Sequence, residues 1–164
     1  MYRPQGATAI AFRGVKPGLP AGNGEEQYWV NLLVGGVSEE QTLMGILSSQ
    51  EFYQRAAGQN PGVTADEAYI QALFHTFLGR TAGPSEVSNF VTNILAGPGR
   101  SGAALIVLQS QEYRSDLVQW DYANLLHRSA PPSSAEVSGW VFAPLDLTGI
   151  RVGFMGSYEY VLNG

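Results

Sequence analysis

Three glutamates recur in one local setting: Glu51 in Ser49-Gln50-Glu51-Phe52, Glu112 in Ser110-Gln111-Glu112-Tyr113 and Glu159 in Ser157-Tyr158-Glu159-Tyr160. Paired carboxylates can do general acid–base work, but such pairs depend on unlike environments that split their pKa values. A carboxylate that returns once per unit points to structure instead. Arg80 and Arg128 are its natural partners, because a guanidinium holds a carboxylate through two parallel bonds. We therefore expect Arg80, Arg128, Glu51, Glu112 and Glu159 to lock successive half-units together.

The other candidates for chemistry are weaker. His75 lies five residues before Arg80 and His127 one residue before Arg128, so the two are not equivalent. Each reads as a polar-face or packing residue. The chain has no cysteine, which excludes thiol catalysis, a disulfide framework and cysteine-ligated zinc. Asp66 and Glu67 follow Thr64 and read as charges at a helix N-terminus. The stretch Gly97-Pro98-Gly99-Arg100-Ser101-Gly102 lacks the Gly-Lys-Ser/Thr of a phosphate loop, and Gly156-Ser157 lacks the Gly-x-Ser-x-Gly of a serine hydrolase. No enzyme, cofactor or metal site is expected.

These residues need a scaffold, and the composition allows one. In 164 residues, 45% are hydrophobic and 14% charged, enough apolar material for a core. The net charge of −5, with eight Arg and one Lys spread along the chain, argues against a nucleic-acid surface. No run approaches the ~18 apolar residues of a membrane span. Residues 1–24 stand apart, dense in Gly and Pro, and read as an extended arm without a secretory signal. Its apolar residues Ile10, Phe12 and Val15 are candidates for docking on a partner.

Residues 25–164 repeat themselves. Upstream of the three Ser-x-Glu-aromatic motifs stand Trp29, Phe90 and Trp140, at separations of 20, 20 and 17 residues from the serine. A glutamate precedes each by four: Glu25, Glu86 and Glu136. Tyr69 to Arg80 matches Trp120 to Arg128, each ending in Leu-x-Arg before a proline-containing loop, so the array opens in mid-unit. The repeated segments carry helical signals. Leu73, Phe74, Phe77 and Leu78 form one stripe, and Thr64 with Glu67, Ser38 with Gln41 and Ser133 with Glu136 read as capping boxes. The pattern predicts helices near 25–34, 38–56, 64–79, 84–96, 101–114, 117–128, 133–142 and 147–162. The fold expected is an all-α compact bundle of about eight helices built from imperfect repeats. Trp29, Phe90 and Trp140 would be core anchors, with Phe52, Tyr113 and Tyr160 as their partners.

The motifs resemble those of the DUF4214 family, helical repeat modules of secreted and surface-associated bacterial proteins. The resemblance covers residues 25–162 and rests on Leu78-Gly79-Arg80, Trp29-Val30-x-Leu32-Leu33-x-Gly35, Ser49-x-Glu51-Phe52 and Ser110-x-Glu112-Tyr113. Gly36-Val37-Ser38 through Tyr53, followed by Phe77 to Arg80, is more distantly similar to the linker domain of cyanobacterial phycobilisomes. Both resemblances imply a binding or scaffolding module. The expected role is a non-catalytic structural module of an extracellular or cell-surface assembly, with a cytoplasmic setting as the alternative. Its partner is a protein, as a homo-oligomer or filament built through the arm. The alternatives are a linker-like scaffold and a glycan- or calcium-binding domain.

Overall fold

A computed structural model describes residues 25–163; the arm positions Ile10, Phe12 and Val15 lie outside them. Among the described residues the chain is all-α, without a strand. Ten α-helices follow in order: α1 Glu25–Val34, α2 Glu39–Leu47, α3 Gln50–Gln59, α4 Ala65–Leu78, α5 Pro84–Asn89, α6 Gly99–Leu108, α7 Gln111–Asn124, α8 Ser134–Val141, α9 Leu147–Met155 and α10 Tyr158–Asn163. A π-helical stretch, Phe90–Leu95, continues α5. None of the described helices is long and apolar enough to cross a membrane.

The helices fall into two compact units whose boundary, Leu105/Ile106, lies within α6. In the first unit α3 packs on α4. The ring of Phe52 meets Tyr69 edge-on at 5.9 Å, and Leu43, Leu47, Tyr69, Ile70 and Leu73 are buried. In the second unit Val118, Tyr122, Leu126, Val141, Ile150 and Phe154 form the core.

The helix starts follow from short side chains that accept orphan N–H groups. Thr64 and Ser133 form full capping boxes with Glu67 and Glu136, as the spacing predicts. Ser38 accepts from the Gln41 N–H at 3.2 Å. Pro84 opens α5, where its missing N–H costs nothing.

The structure corrects the expected helix count. The segments 38–56, 101–114 and 147–162 are each broken just before the Ser-x-Glu-aromatic motif, while the break expected near 115–116 is absent and α7 runs through it. Ser49, Ser110 and Ser157 are joints. Each serine hydroxyl accepts the N–H of the motif aromatic (Phe52, Tyr113 or Tyr160) at 3.1 Å. Each serine N–H donates back to the helix behind it, to Ile46 at 3.2 Å, Val107 at 3.2 Å and Phe154 at 3.1 Å. The hydroxyls of Ser110 and Ser157 also donate to Val107 and Phe154 carbonyls, at 2.8 and 2.7 Å. One residue thus serves two helix ends, so helical periodicity passes across the joint unbroken in sequence.

The Leu-x-Arg ends are also explained. Gly79 closes α4 in the left-handed region, at φ 64°, and the residue before Arg128, His127, adopts φ 51°. His127 occupies a backbone site where glycine is cheapest.

Two outcomes follow. Ser110→Ala lowers stability in urea unfolding by about 1 kcal/mol, because two helix ends lose their shared partner. Gly79→Ala lowers it by about 1 kcal/mol, since a Cβ there meets nothing but adopts a strained φ; His127→Gly in the same assay lowers nothing.

Candidate functional site

The arginines ending the two matched helices hold the clearest charged constellations. Arg128 lies beyond α7 and bonds two carboxylates. Its Nη1 donates to Glu136 at 2.7 Å; its Nε and Nη2 engage both oxygens of Glu159, the latter at 2.6 Å. Glu136 is the third residue of α8 and Glu159 the second of α10. Arg128 therefore ties three helices, with its guanidinium 4.5 Å above the Tyr122 ring. Arg80 repeats the plan. It grips Glu86 through two bonds of 2.9 and 2.8 Å and lies 5.0 Å over Phe74, which stands six residues before it, as Tyr122 does before Arg128.

The charges respond accordingly. Hydrogen bonding from Arg128, then from the Ser133 N–H, holds the Glu136 carboxyl at about 2. Arg80, then the Gly83 N–H, does the same for Glu86, also at about 2. Arg128 lowers Glu159 as well, and is itself raised by Glu159 and Glu136. Near neutrality the three carboxylates stay ionised in the grip of guanidinium, and the contacts they make here are cross-links.

The sequence-predicted residues are placed unevenly. Arg128 and Glu159 come together as expected. Glu51 does not reach Arg80 or Arg128: Arg55, one turn later on α3, takes it at 2.5 Å. Glu112 stands in the first turn of α7. Phe90 is buried and meets Phe74 edge-on at 5.4 Å, whereas Trp29 and Trp140 are only half-buried.

The expected aromatic partners of the tryptophans are largely replaced by glycine. The Trp29 ring lies 3.0 Å from where a Cβ on Gly45 would stand, and the Trp140 ring 2.6 Å from the same point on Gly153. Both glycines lie one turn before a joint serine; the middle copy has Ile106 there and the smaller ring, Phe90. A wide indole packed this close to a helix leaves no room for a side chain at the glycine. Trp140 also stacks on Phe154 at 4.7 Å and donates its indole N–H to the Tyr122 hydroxyl at 3.2 Å. Tyr160 packs against this same core, so there part of the expected pairing is present.

Sequence reasoning missed the residues that act over long separations. Arg114 is buried and donates to the carbonyls of Val141, Ala143 and Leu145 at 3.0, 3.2 and 2.9 Å, satisfying the end of α8 and the turn beyond it. Asp121, fully buried on α7, faces Arg151 of α9 at 3.8 Å. Arg100, at the start of α6, reaches Gln50 at 2.9 Å and lies 4.9 Å over the Tyr53 ring. Their partners stand 27 to 50 residues away, so no local spacing announces them. His75 is exposed on α4. Among the described residues no three His, Asp or Glu side chains gather as a metal site.

The remaining feature is exposed apolar surface. In the second unit Val152, Met155, Tyr158, Val161 and Leu162 are exposed along α9 and α10, Tyr158 at 78% and Val161 at 72%. In the first unit Tyr28 and Val34 of α1 are exposed. Comparison with known protein families, with curated proteins and with solved structures finds no match.

The carboxylate pKa values set a pH test. Glu136 is ionised more easily in the folded chain than in the unfolded one, where carboxyls titrate near ~4.3. Its contribution is therefore complete above that value and is lost as pH falls toward about 2. Glu136→Gln melts at a lower temperature than the parent at pH 7, and the two melting temperatures converge as pH approaches about 2. A constant gap across that range would contradict the Arg128 lock.

Proposed function

We propose that this chain is a non-catalytic structural module that associates with further copies of itself through residues 7–15, as part of a secreted or surface-bound assembly. The observation that carries the reading is the exposed apolar row on α9 and α10. The helices that start at Ser49 and Ser110 each bury side chains, Ala56 on α3 and Leu117 and Val118 on α7. The same joint precedes α10, where Val161 is exposed at 72% at the position that the half-buried Tyr53 and the buried Arg114 hold in the other two copies. That position, four residues after the joint serine, is covered in both of those copies.

Residues 7–15 have the chemistry to do so. Ile10 and Phe12 alternate with Ala9, Ala11 and Arg13, the spacing by which an extended segment would set two apolar side chains on one face, with Val15 as a further apolar contact. The donor and acceptor surfaces lie on different parts of the chain, so the contact is heterologous and can propagate head to tail. The structural use of the recurrent Arg and Glu side chains favours a scaffold over a catalyst. The setting is that of the DUF4214 modules that the motifs resemble.

Sedimentation velocity on the full chain tests the reading. The parent shows concentration-dependent association, and Phe12→Asp and Leu162→Ser each return it to monomer with an unchanged melting temperature. A parent that stays monomeric at every concentration, or association untouched by both variants, would falsify it.

A further inference from the structure

The first unit holds an open cleft of about 500 Å³ that none of the repeat contacts explains. Gln50 and Tyr53 reach it from α3, Asp66 from α4, Val91 and Leu95 from the π-helical stretch, and Arg100 from the first turn of α6. Its size is within the range of small-molecule sites, ~300–1,000 Å³. A π-helical stretch in a cleft wall is a frequent companion of a site, because the extra residue per turn displaces side chains from the regular helical face.

Arg100 is used differently from the other arginines described above. Arg55, Arg80, Arg128 and Arg151 each face a carboxylate, and Arg114 spends its donors on three carbonyls. Arg100 commits only Nη1, to the Gln50 side chain at 2.9 Å and the Ser49 carbonyl at 3.4 Å. Its remaining N–H groups, on Nε and Nη2, have no hydrogen-bond partner among the described residues, and the Tyr53 ring supports the guanidinium from one face. The hydroxyl of the same tyrosine donates to Asp66 Oδ1 at 2.8 Å, leaving Oδ2 open. One phenol thus holds a cation at its face and an anion at its hydroxyl. The two charges do not pair with each other, and an aliphatic wall of Val91 and Leu95 lines the cleft they share.

Nothing in the repeat requires this. Four residues after the joint serine, where Tyr53 stands, the second copy has Arg114, buried in its own core, and the third has Val161. The cluster belongs to the first copy alone.

We propose that this cleft binds a free aliphatic α-amino acid. The ligand's carboxylate takes the open N–H groups of Arg100, its ammonium takes Asp66 Oδ2, and its side chain lies along Val91 and Leu95. Two charge-assisted bonds at the α-carbon, with an aliphatic wall beside them for the side chain, recognise a zwitterion and discriminate against either half alone.

L-leucine titrated into the full-length, isotope-labelled chain tests this by amide NMR. The expected result is saturable shifts at the amides of residues 50, 53, 66, 91, 95 and 100 with millimolar affinity. Leucinamide, lacking the carboxylate, and 4-methylpentanoate, lacking the ammonium, each bind at least about tenfold more weakly. Arg100→Gln weakens leucine without changing leucinamide, and Asp66→Asn weakens leucine without changing 4-methylpentanoate. Those crossed pairs separate ligand contact from a merely structural bridge between α6 and α3, which would affect all ligands alike. Absence of saturable shifts, shifts outside the cleft, or equal binding of the three compounds overturns the proposal; should a variant not fold, the comparison of the three compounds on the parent chain still decides it.

Discussion

At each of the three joints a single serine hydroxyl stands between the last turn of one helix and the first turn of the next. A helix end leaves backbone groups without intrahelical partners, and burying them unpaired costs more than any one packing contact returns. The joint resolves both ends in one residue: the serine N–H goes back, and the hydroxyl accepts from ahead. This constraint lets the chain turn between short helices with a two-residue connection. It also forces the motif aromatic into the third position of the new helix, where its ring faces neighbouring helices. Phe52 on Tyr69 and Tyr160 against the core of the second unit follow from it.

The arginine locks act on a second scale. Arg80 and Arg128 each follow directly on a left-handed residue, which swings the chain so that the guanidinium lies back over an aromatic ring six residues earlier. From there it reaches the carboxylate of a capping residue on the next helix. The same glutamate serves its own helix N-terminus and the arginine. Exposed ion pairs contribute little singly, about 0–1 kcal/mol, but a bidentate, ring-supported pair shared with a cap is held in one geometry by several weak terms. Each carboxylate is thereby favoured in its ionised form.

Repetition and its exceptions divide the molecule between framework and specific function. Joint serines recur in all three copies, and a half-buried tryptophan on glycine and an arginine lock in two each, because those copies meet the same packing problem. The Arg100 cleft and the exposed side chains of α9 and α10 do not recur. A copy-specific polar cluster is free of the framework's demands, and exposed apolar side chains carry a cost in water that a contact would relieve.

Much of the framework was legible in the sequence because the bonds that make it are local. Capping boxes at Thr64 and Ser133, the proline at the start of α5 and the glycine that closes α4 all act within a few residues, so spacing alone identifies them. Helical periodicity and the absence of strand patterning determined the all-α class for the same reason. The joints were not legible, because serine is tolerated in a helix interior and is also a good N-cap; only packing on both sides decides between the two. Arg114 on the end of α8, Arg100 over Tyr53, and Glu51 on Arg55 rather than on a distant arginine were likewise decided in three dimensions. A charged side chain of several rotatable bonds has many partners within reach along the sequence, and the tertiary structure selects one by fixing which helix faces it.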